Sequence, residues 1–439
     1  MLSLQEIRES LQVAEQLARL SLTSAGDRED GEGDNIRTNP PKPYVPPKQL
    51  LMYLVRMGSF TSKPLQGSEE CEDDLVVFPD GMVGRDDLLH WVQEPLVDLP
   101  PLLPHTYRYP PSTPSTPSSS SSSSSPNTTR PTPTSTHHQP PDNSFRVMQW
   151  NILAQALGTN TDNFVRCPPE ALDWNTRKFR IVEEMLTYLP QFICCQEVDH
   201  YKFLESVMER LGYCGVFMPK PDSPCLYLPN NNGPDGCAIF WDDTRFKLLN
   251  THTRVVEVWH VQSNQVVILL VLEERSTGQQ LVLLTTHLKA RQGALLASLR
   301  NEQGKDLLTF MDQHCKGRPI IICGDFNAEP SEPVYTTMTD TSTGLHSAYS
   351  FLHDHTEPSY STWKVRGEVD CCQNLDYIFY TPDKLTVEGG YDVPTEEDMG
   401  PNRAPSLSYP SDHFALICDF TFKKTQLEDE EGSASTSHL

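Results

Sequence analysis

At 439 residues, with 35 Lys and Arg against 59 Asp and Glu, the chain carries a formal charge of −24. That balance excludes the broad basic face with which a protein tracks a long phosphate backbone, and leaves room for a small anion in a local basic pocket. No stretch reaches the run of about eighteen apolar residues that a membrane span needs, and several of the twelve cysteines sit in apolar stretches such as Phe192-Ile193-Cys194-Cys195, without the spacing of a secreted disulfide framework.

From the N-terminus, Leu4, Ile7, Leu11, Ala14, Ala18 and Leu22 recur at helical spacing, with Glu6, Glu9 and Glu15 set against Arg8 and Arg19. The pattern predicts a short amphipathic helix that docks on a partner or on its own domain. Its acid content opposes a mitochondrial presequence, so a cytoplasmic location is expected. Apolar clusters at 50–55, 75–78 and 88–92 lie between Pro and acidic residues and take no assigned role. Residues 110–143 are rich in Pro, Thr and Ser, with an unbroken run from Ser118 to Ser125, and hold too little apolar surface to offset the entropy of ordering. We therefore expect a largely disordered N-terminal region over 1–144, a folded catalytic domain over 145–422 and a disordered acidic tail over 423–439.

From residue 145 strand-like and helix-like stretches alternate. Strands are predicted at 145–153, 191–198, 236–241, 265–274, 280–287, 318–323, 375–380 and 413–422, and helices at 173–188, stopped by Pro190, and 292–314. Many strands and few helices indicate an α+β class, a layered sandwich with its site at one edge of two packed sheets.

Polar residues gather at the predicted strand ends. Asn151 closes the first strand and Glu197 the second; Asp325 and Asn327 follow Pro319-Ile320-Ile321-Ile322-Cys323; Asp376 opens the next strand, and Asp412 and His413 the last. A lone Asp or Asn at a strand end is commonly a turn or cap residue, but this set, converging, has the parts for metal-assisted attack on phosphate. Carboxylates hold Mg²⁺ and orient water, and a donor meets the developing charge. On this reading Glu197 with Asn151 beside it holds the metal, Asp325 orients or deprotonates the water, and Asn327 donates to phosphoryl oxygens. Asp376 fixes one tautomer of His413.

Trp150-Asn151, Gln196-Glu197, Thr286-His287-Leu288, Gly324-Asp325-Phe326-Asn327, Leu375-Asp376-Tyr377 and Ser411-Asp412-His413, in this order, resemble the endonuclease/exonuclease/phosphatase superfamily over about 145–422. The resemblance implies a two-sheet α/β sandwich, Mg²⁺ dependence and hydrolysis of a phosphoester. Glu197 becomes the principal metal ligand, and His287 and His413 contact the scissile phosphate. The loops Gln196-Glu197-Val198-Asp199-His200-Tyr201, Pro219-Lys220-Pro221 and His287-Leu288-Lys289-Ala290-Arg291 are similar to those of the nocturnin family, in the branch that holds the carbon-catabolite-repression deadenylases. That narrower resemblance implies removal of the 2′-phosphate of NADP⁺ and NADPH, with Lys220, Lys289, Arg291 and Arg366 around the substrate phosphates.

Two other readings stand beside it. One is a poly(A)-specific 3′-to-5′ exoribonuclease working in mRNA turnover, which without the leucine-rich repeats of some deadenylases needs an mRNA-decay partner protein to reach its RNA. The other is a non-catalytic scaffold, which the intact set from Asn151 to His413 opposes. Beyond Arg291, Gln292-Gly293-Ala294-Leu295-Leu296-Ala297 is more apolar than expected after a phosphate-binding loop.

Overall fold

The structure, a computed structural model, describes residues 10–19, 45–55, 78, 84–111, 141, 143–158 and 164–423. The linker expected over 110–143 and the acidic tail fall almost wholly outside the described residues. In chain order the strands are β1 (Thr106–Arg108), β2 (Phe145–Asn151), β3 (Phe192–Val198), β4 (Tyr213–Pro219), β5 (Gly236–Asp242), β6 (Phe246–Val258), β7 (Val261–Glu274), β8 (Gln280–His287), β9 (Ile320–Asp325), β10 (His346–Ser347), β11 (Thr362–Arg366), β12 (Val369–Gln373), β13 (Asp376–Tyr380), β14 (Leu385–Asp392) and β15 (Leu416–Phe422). The longer helices are α1 (10–19), α2 (Lys48–Val55), α3 (Arg85–Gln93), α4 (Trp174–Tyr188), α5 (Tyr201–Glu209) and α6 (Ala294–Cys315).

Two sheets stack as the α+β sandwich expected, one ordered β1-β14-β15-β2-β3-β5-β4 and the other β10-β13-β9-β8-β7-β6. Their facing sides close over Phe145, Val147, Phe192, Ile239, Ile268, Leu283, Ile321 and Phe420, with the thiols of Cys194, Cys237, Cys323 and Cys418 buried among them. Burial holds the Cys194 thiol, which touches Cys323, well above the ordinary thiol range. All the described cysteines are free. Helices α4 and α5 cover the first sheet's outer face, and α6 covers that of the second.

Each sheet contains one parallel pair, β2 with β3 and β8 with β9. A parallel pair cannot be joined by a hairpin, so each is bridged by a long crossover helix, α4 in the first and α6 in the second. Buried on both faces, β3, β8 and β9 read as largely apolar runs that end in polar residues, whereas β2 carries Arg146 and Gln149 within its run, and both pairs end at the same edge of the sandwich. In α4, Asp173 caps the first turn by accepting from Asn175 N (2.7 Å), and Leu189, in the left-handed region at φ 41°, stops it ahead of Pro190.

The first sheet reaches further back in sequence than residue 145. β1 pairs with β14, where Arg108 grips Asp392 bidentately (2.8 Å), and Leu88 and Val92 of α3 join the core against α4. The apolar cluster at 88–92 is thus part of the sandwich. β6 was not anticipated: its register shifts at Leu248/Asn250 and Val255/Glu257 break the alternation by which a strand is recognised.

Candidate active site

Register alone brings the site together. In the second sheet His287 pairs with Asp325 across β8 and β9, and Asp325 pairs with Asp376 across β9 and β13. In the first sheet Asn151 pairs with Gln196, one residue before Glu197. Glu197 sits at a break in the β3–β5 register with φ 55°, a left-handed conformation uncommon for such a residue, which turns its carboxylate out of the strand alternation. Asn327, φ 50°, makes the corresponding turn after β9.

The two sheets meet at this edge through amides. Gln149 and Gln196 exchange hydrogen bonds, Gln149 Nε2 to Gln196 Oε1 at 2.5 Å and Gln196 Nε2 to Gln149 Oε1 at 2.8 Å. Gln196 also donates to Thr285 of the facing sheet (2.9 Å). Above them Asn151 Nδ2 donates to Glu197 Oε1 (3.0 Å) and Asp325 Oδ2 (2.9 Å), drawing two carboxylates from different sheets to one point. The Asn151 side-chain oxygen Oδ1 accepts from Leu153 N, so Asn151 orients the carboxylates here.

His413 completes the acid side. Its Nδ1 lies 2.8 Å from Asp376 Oδ2, which also accepts from Ser361 Oγ (2.7 Å), and its Nε2 faces Asp325 Oδ2 at 3.8 Å. Although burial opposes it, Asp376, Asp325 and Asp412 push the imidazole up to about 9, so it carries a proton at neutral pH. His287 goes the other way: burial, Lys220 and His413 hold it well below the ordinary histidine range, and Asn327 Nδ2 lies 2.9 Å from its Nε2. The same edge therefore presents one charged and one neutral imidazole. Burial and Asp376 raise Asp325 to about 6.

A hard cation fits this donor set on the Glu197 side. Glu197 and Asp325 offer convergent carboxylate oxygens facing the pocket, and a divalent cation there would relieve the raised Asp325. Asp325, Asp376 and His413 also place potential ligand atoms within 4.8 Å of one another, and there Asp376 is engaged by His413 and Ser361.

The pocket, about 210 Å³, runs from these residues to a basic wall of Lys220, Lys364 and Arg366. Lys220, fully buried, pairs with Asp235 (2.6 Å). Lys364 pairs with Asp412 at 2.5 Å and Arg366 reaches the same carboxylate at 3.5 Å. Burial opposes ionisation of Asp412, but Lys364, His413 and Arg366 hold it well below the usual carboxylate range. Asp412 thus fixes two cations and is no proton acceptor. Lys289 is buried beside the pocket, where burial, Arg291 and Lys220 bring its amine down to about 8. Arg291 is exposed, at φ 83°. Asn327 spends both amide hydrogens on His287 and the Leu288 carbonyl, so it positions the neutral imidazole rather than reaching a substrate oxygen.

Two contributors escaped the sequence reading. Lys364 shares a strand face with Arg366, two residues on, and that alternation was the available signal. Arg177 of α4, fully buried, donates to the carbonyls of Ile152 and Pro410 and so ties the loop after β2 to the one before His413; its helical position gave no such hint.

Residues 148–413 match the Endonuclease/Exonuclease/phosphatase family. Nocturnin of Drosophila melanogaster is 44% identical over 415 residues, covering 89% of this chain and 64% of that protein. Nocturnin of Rattus norvegicus is 49% identical over 298 residues, covering 67% of this chain and 68% of that protein. The chain thus spans about two thirds of the length of these relatives. The Ccr4 subunit of Candida albicans, named a CCR4-Not complex 3′-5′-exoribonuclease, is 26% identical over 330 residues, covering 64% of this chain and 41% of that one. Among solved structures, the human Nocturnin catalytic domain with bound sulfate anion aligns with a TM-score of 0.56 at 42% identity, covering 65% of this chain and 97% of that one.

Proposed function

The chain belongs to the endonuclease/exonuclease/phosphatase family, among its nocturnin members, and from that premise we propose that it is a Mg²⁺-dependent hydrolase that removes the 2′-phosphate of NADP⁺ and NADPH. The observation that carries this reading is the basic wall. In a chain of charge −24, Lys220, Lys364 and Arg366 line one small pocket with both histidines, and beside it burial, Arg291 and Lys220 hold the Lys289 amine down near 8. A phosphate dianion adds acceptors to cations that Asp235 and Asp412 hold at the pocket.

When bound, the cation supplies Lewis acidity toward a phosphoryl oxygen and acidifies water. Asp325 orients the attacking water and takes its proton as the new O–P bond forms. The protonated His413 donates to the 2′-oxygen as its bond to phosphorus breaks, while Asp376 holds the ring. The neutral His287, held by Asn327, faces the phosphoryl group without adding a charge. Lys220, Lys364 and Arg366 receive the negative charge that builds on the phosphoryl oxygens.

A second reading, a 3′-to-5′ exoribonuclease trimming poly(A), is favoured by the Candida relative, whose name states that activity. On the relatives' names alone it is the better supported of the two. The chemistry is shared and the substrate separates them. The test is phosphate release from NADPH and nucleotide release from oligo(A) by the purified full chain with Mg²⁺, with Asp325→Ala and Glu197→Ala as controls. Control-sensitive phosphate release with inert oligo(A) is the expected result. Trimming of oligo(A) with inert NADPH replaces the first reading by the second, and inertness toward both returns the chain to a scaffold.

A further inference from the structure

Helix α6 has a defect at its start. Its N-cap is Gly293, at φ 126°, with no side chain to accept from the first turn, and that turn contains no acidic residue. The exposed amides of an uncapped helix cost stability and let the first turn fray. Here they are satisfied from far away in sequence: Glu15 of α1 accepts from Ala294 N through Oε1 (2.7 Å) and from Leu295 N through Oε2 (2.9 Å). Burial works against its charge, yet these two amides and Arg19 hold its carboxyl below the ordinary range.

The contact is built and not incidental. Ala14 and Ala18 of α1, Leu50 of α2 and Leu295 of α6 form one buried cluster, with Leu11, Leu54 and Ala294 against it. Leu51 joins Leu299 of α6 and Val258 of β6 in a second. The apolar stretch after Arg291, anomalous for a phosphate-binding loop, is the seat of the two N-terminal helices.

What α6 fixes in turn is the loop 289–293. One and a half turns into the helix the buried Arg300 donates from Nη1 to the carbonyls of Lys289 (3.0 Å) and Arg291 (2.6 Å), while Glu332 holds the rest of its guanidinium. Gln303, a turn further, accepts from Lys289 N (3.0 Å). Arg291 is kept left-handed between these anchors, and Ala290 lines the pocket. The contacts run unbroken from Glu15 through the first turns of α6 to the two cations.

We propose that Glu15 is a positioning residue for the site, holding Lys289 and Arg291 against the substrate phosphate through the capped start of α6, so that α1 and α2 are part of the substrate site and not a separate appendage. The proposal rests on the reading that these cations serve a substrate phosphate. Capping of this kind bears on how the phosphate is held and leaves the water-activating carboxylates on the other side of the pocket untouched.

The experiment compares the full chain with its Glu15→Ala and Glu15→Gln variants by amide hydrogen exchange over 289–297, by affinity for sulfate as a tetrahedral dianion, and by kcat and KM on whichever of NADPH or oligo(A) is turned over. In Glu15→Ala, exchange at Ala294 and Leu295 is expected to quicken about ten-fold and sulfate affinity to fall about five-fold, with KM rising in step and kcat within about two-fold. Glu15→Gln, which keeps one acceptor, falls between. Unchanged exchange overturns the cap, and quickened exchange with unchanged sulfate affinity makes it structural only. Exchange and sulfate binding need no turnover, so failure of the proposed reaction leaves both readouts standing.

Discussion

The acid and basic sides of the pocket are built by opposite rules. On the acid side every group but His413, which lies in the loop ahead of β15, comes from a strand end or the residue beside one, and each is held by another member of the same set: Asn151 by Glu197 and Asp325, His413 by Asp376. On the basic side the cations come from the residue after β4 and from a two-stranded hairpin, and each is held by an acid outside the acid-side set, Lys220 by Asp235, and Lys364 and Arg366 by Asp412. The first side is fixed by sheet register and has little freedom to change without loss of the fold. The second is carried on segments that vary without disturbing the sheets, which is where a family with one chemistry sets its substrates.

The largest expected effect lies on the acid side. Asp325→Asn lowers kcat by about 10³-fold or more with circular dichroism unchanged, because it removes the group that takes the water proton. Comparable activity in that variant would dissolve the division between the two sides. Asp376→Asn comes next, with kcat down about 10²-fold. His413 needs its proton to donate, so activity falls as pH rises through about 9 in the wild type, and without the Asp376 charge that alkaline fall moves to lower pH, as a pH–rate profile will read.

On the basic side the effects are smaller and fall on binding. Lys364→Ala raises KM about ten-fold and changes kcat less, since a phosphate-facing cation is lost while the carboxylates stay in place. An equal fall in kcat would move Lys364 to the chemical side. The smallest effect is a linkage. The Lys289 amine sits near 8 in the free protein, and a bound dianion raises it, so binding takes up protons. Sulfate affinity therefore falls as pH climbs above about 8, by less than ten-fold per unit, and Lys289→Met flattens that slope. Calorimetry in buffers of different ionisation enthalpy measures the proton uptake directly.

The same division governs what could be read from sequence. β3, β8 and β9 are legible because strands buried on both faces are largely apolar runs, and β2 because its polar Arg146 and Gln149 stand among Phe145, Val147, Met148 and Trp150; the residues at their ends, Asn151, Glu197, His287 and Asp325, come with them. β6 is not, because its bulges break the alternation. Asp412 was read as a catalytic group, yet only the fold places Lys364 and Arg366 on it. Gln149 and Gln196 looked like ordinary strand residues, and nothing local marks amides that bridge two sheets. Glu15 lies 279 residues from the amide it caps. A helix start with a glycine and no acid in its first turn announces that a cap is missing, but not where it comes from.

The thiols sealed between the two sheets make the sandwich its own reporter. Cys194, Cys237, Cys323 and Cys418 are fully buried, while Cys214 and Cys372 lie exposed. An alkylating reagent finds the outer pair at once, and reaches the inner four only when the sheets part. The delay between modification of the outer pair and of the inner four, followed by peptide mass, times the opening of the molecule with no added probe.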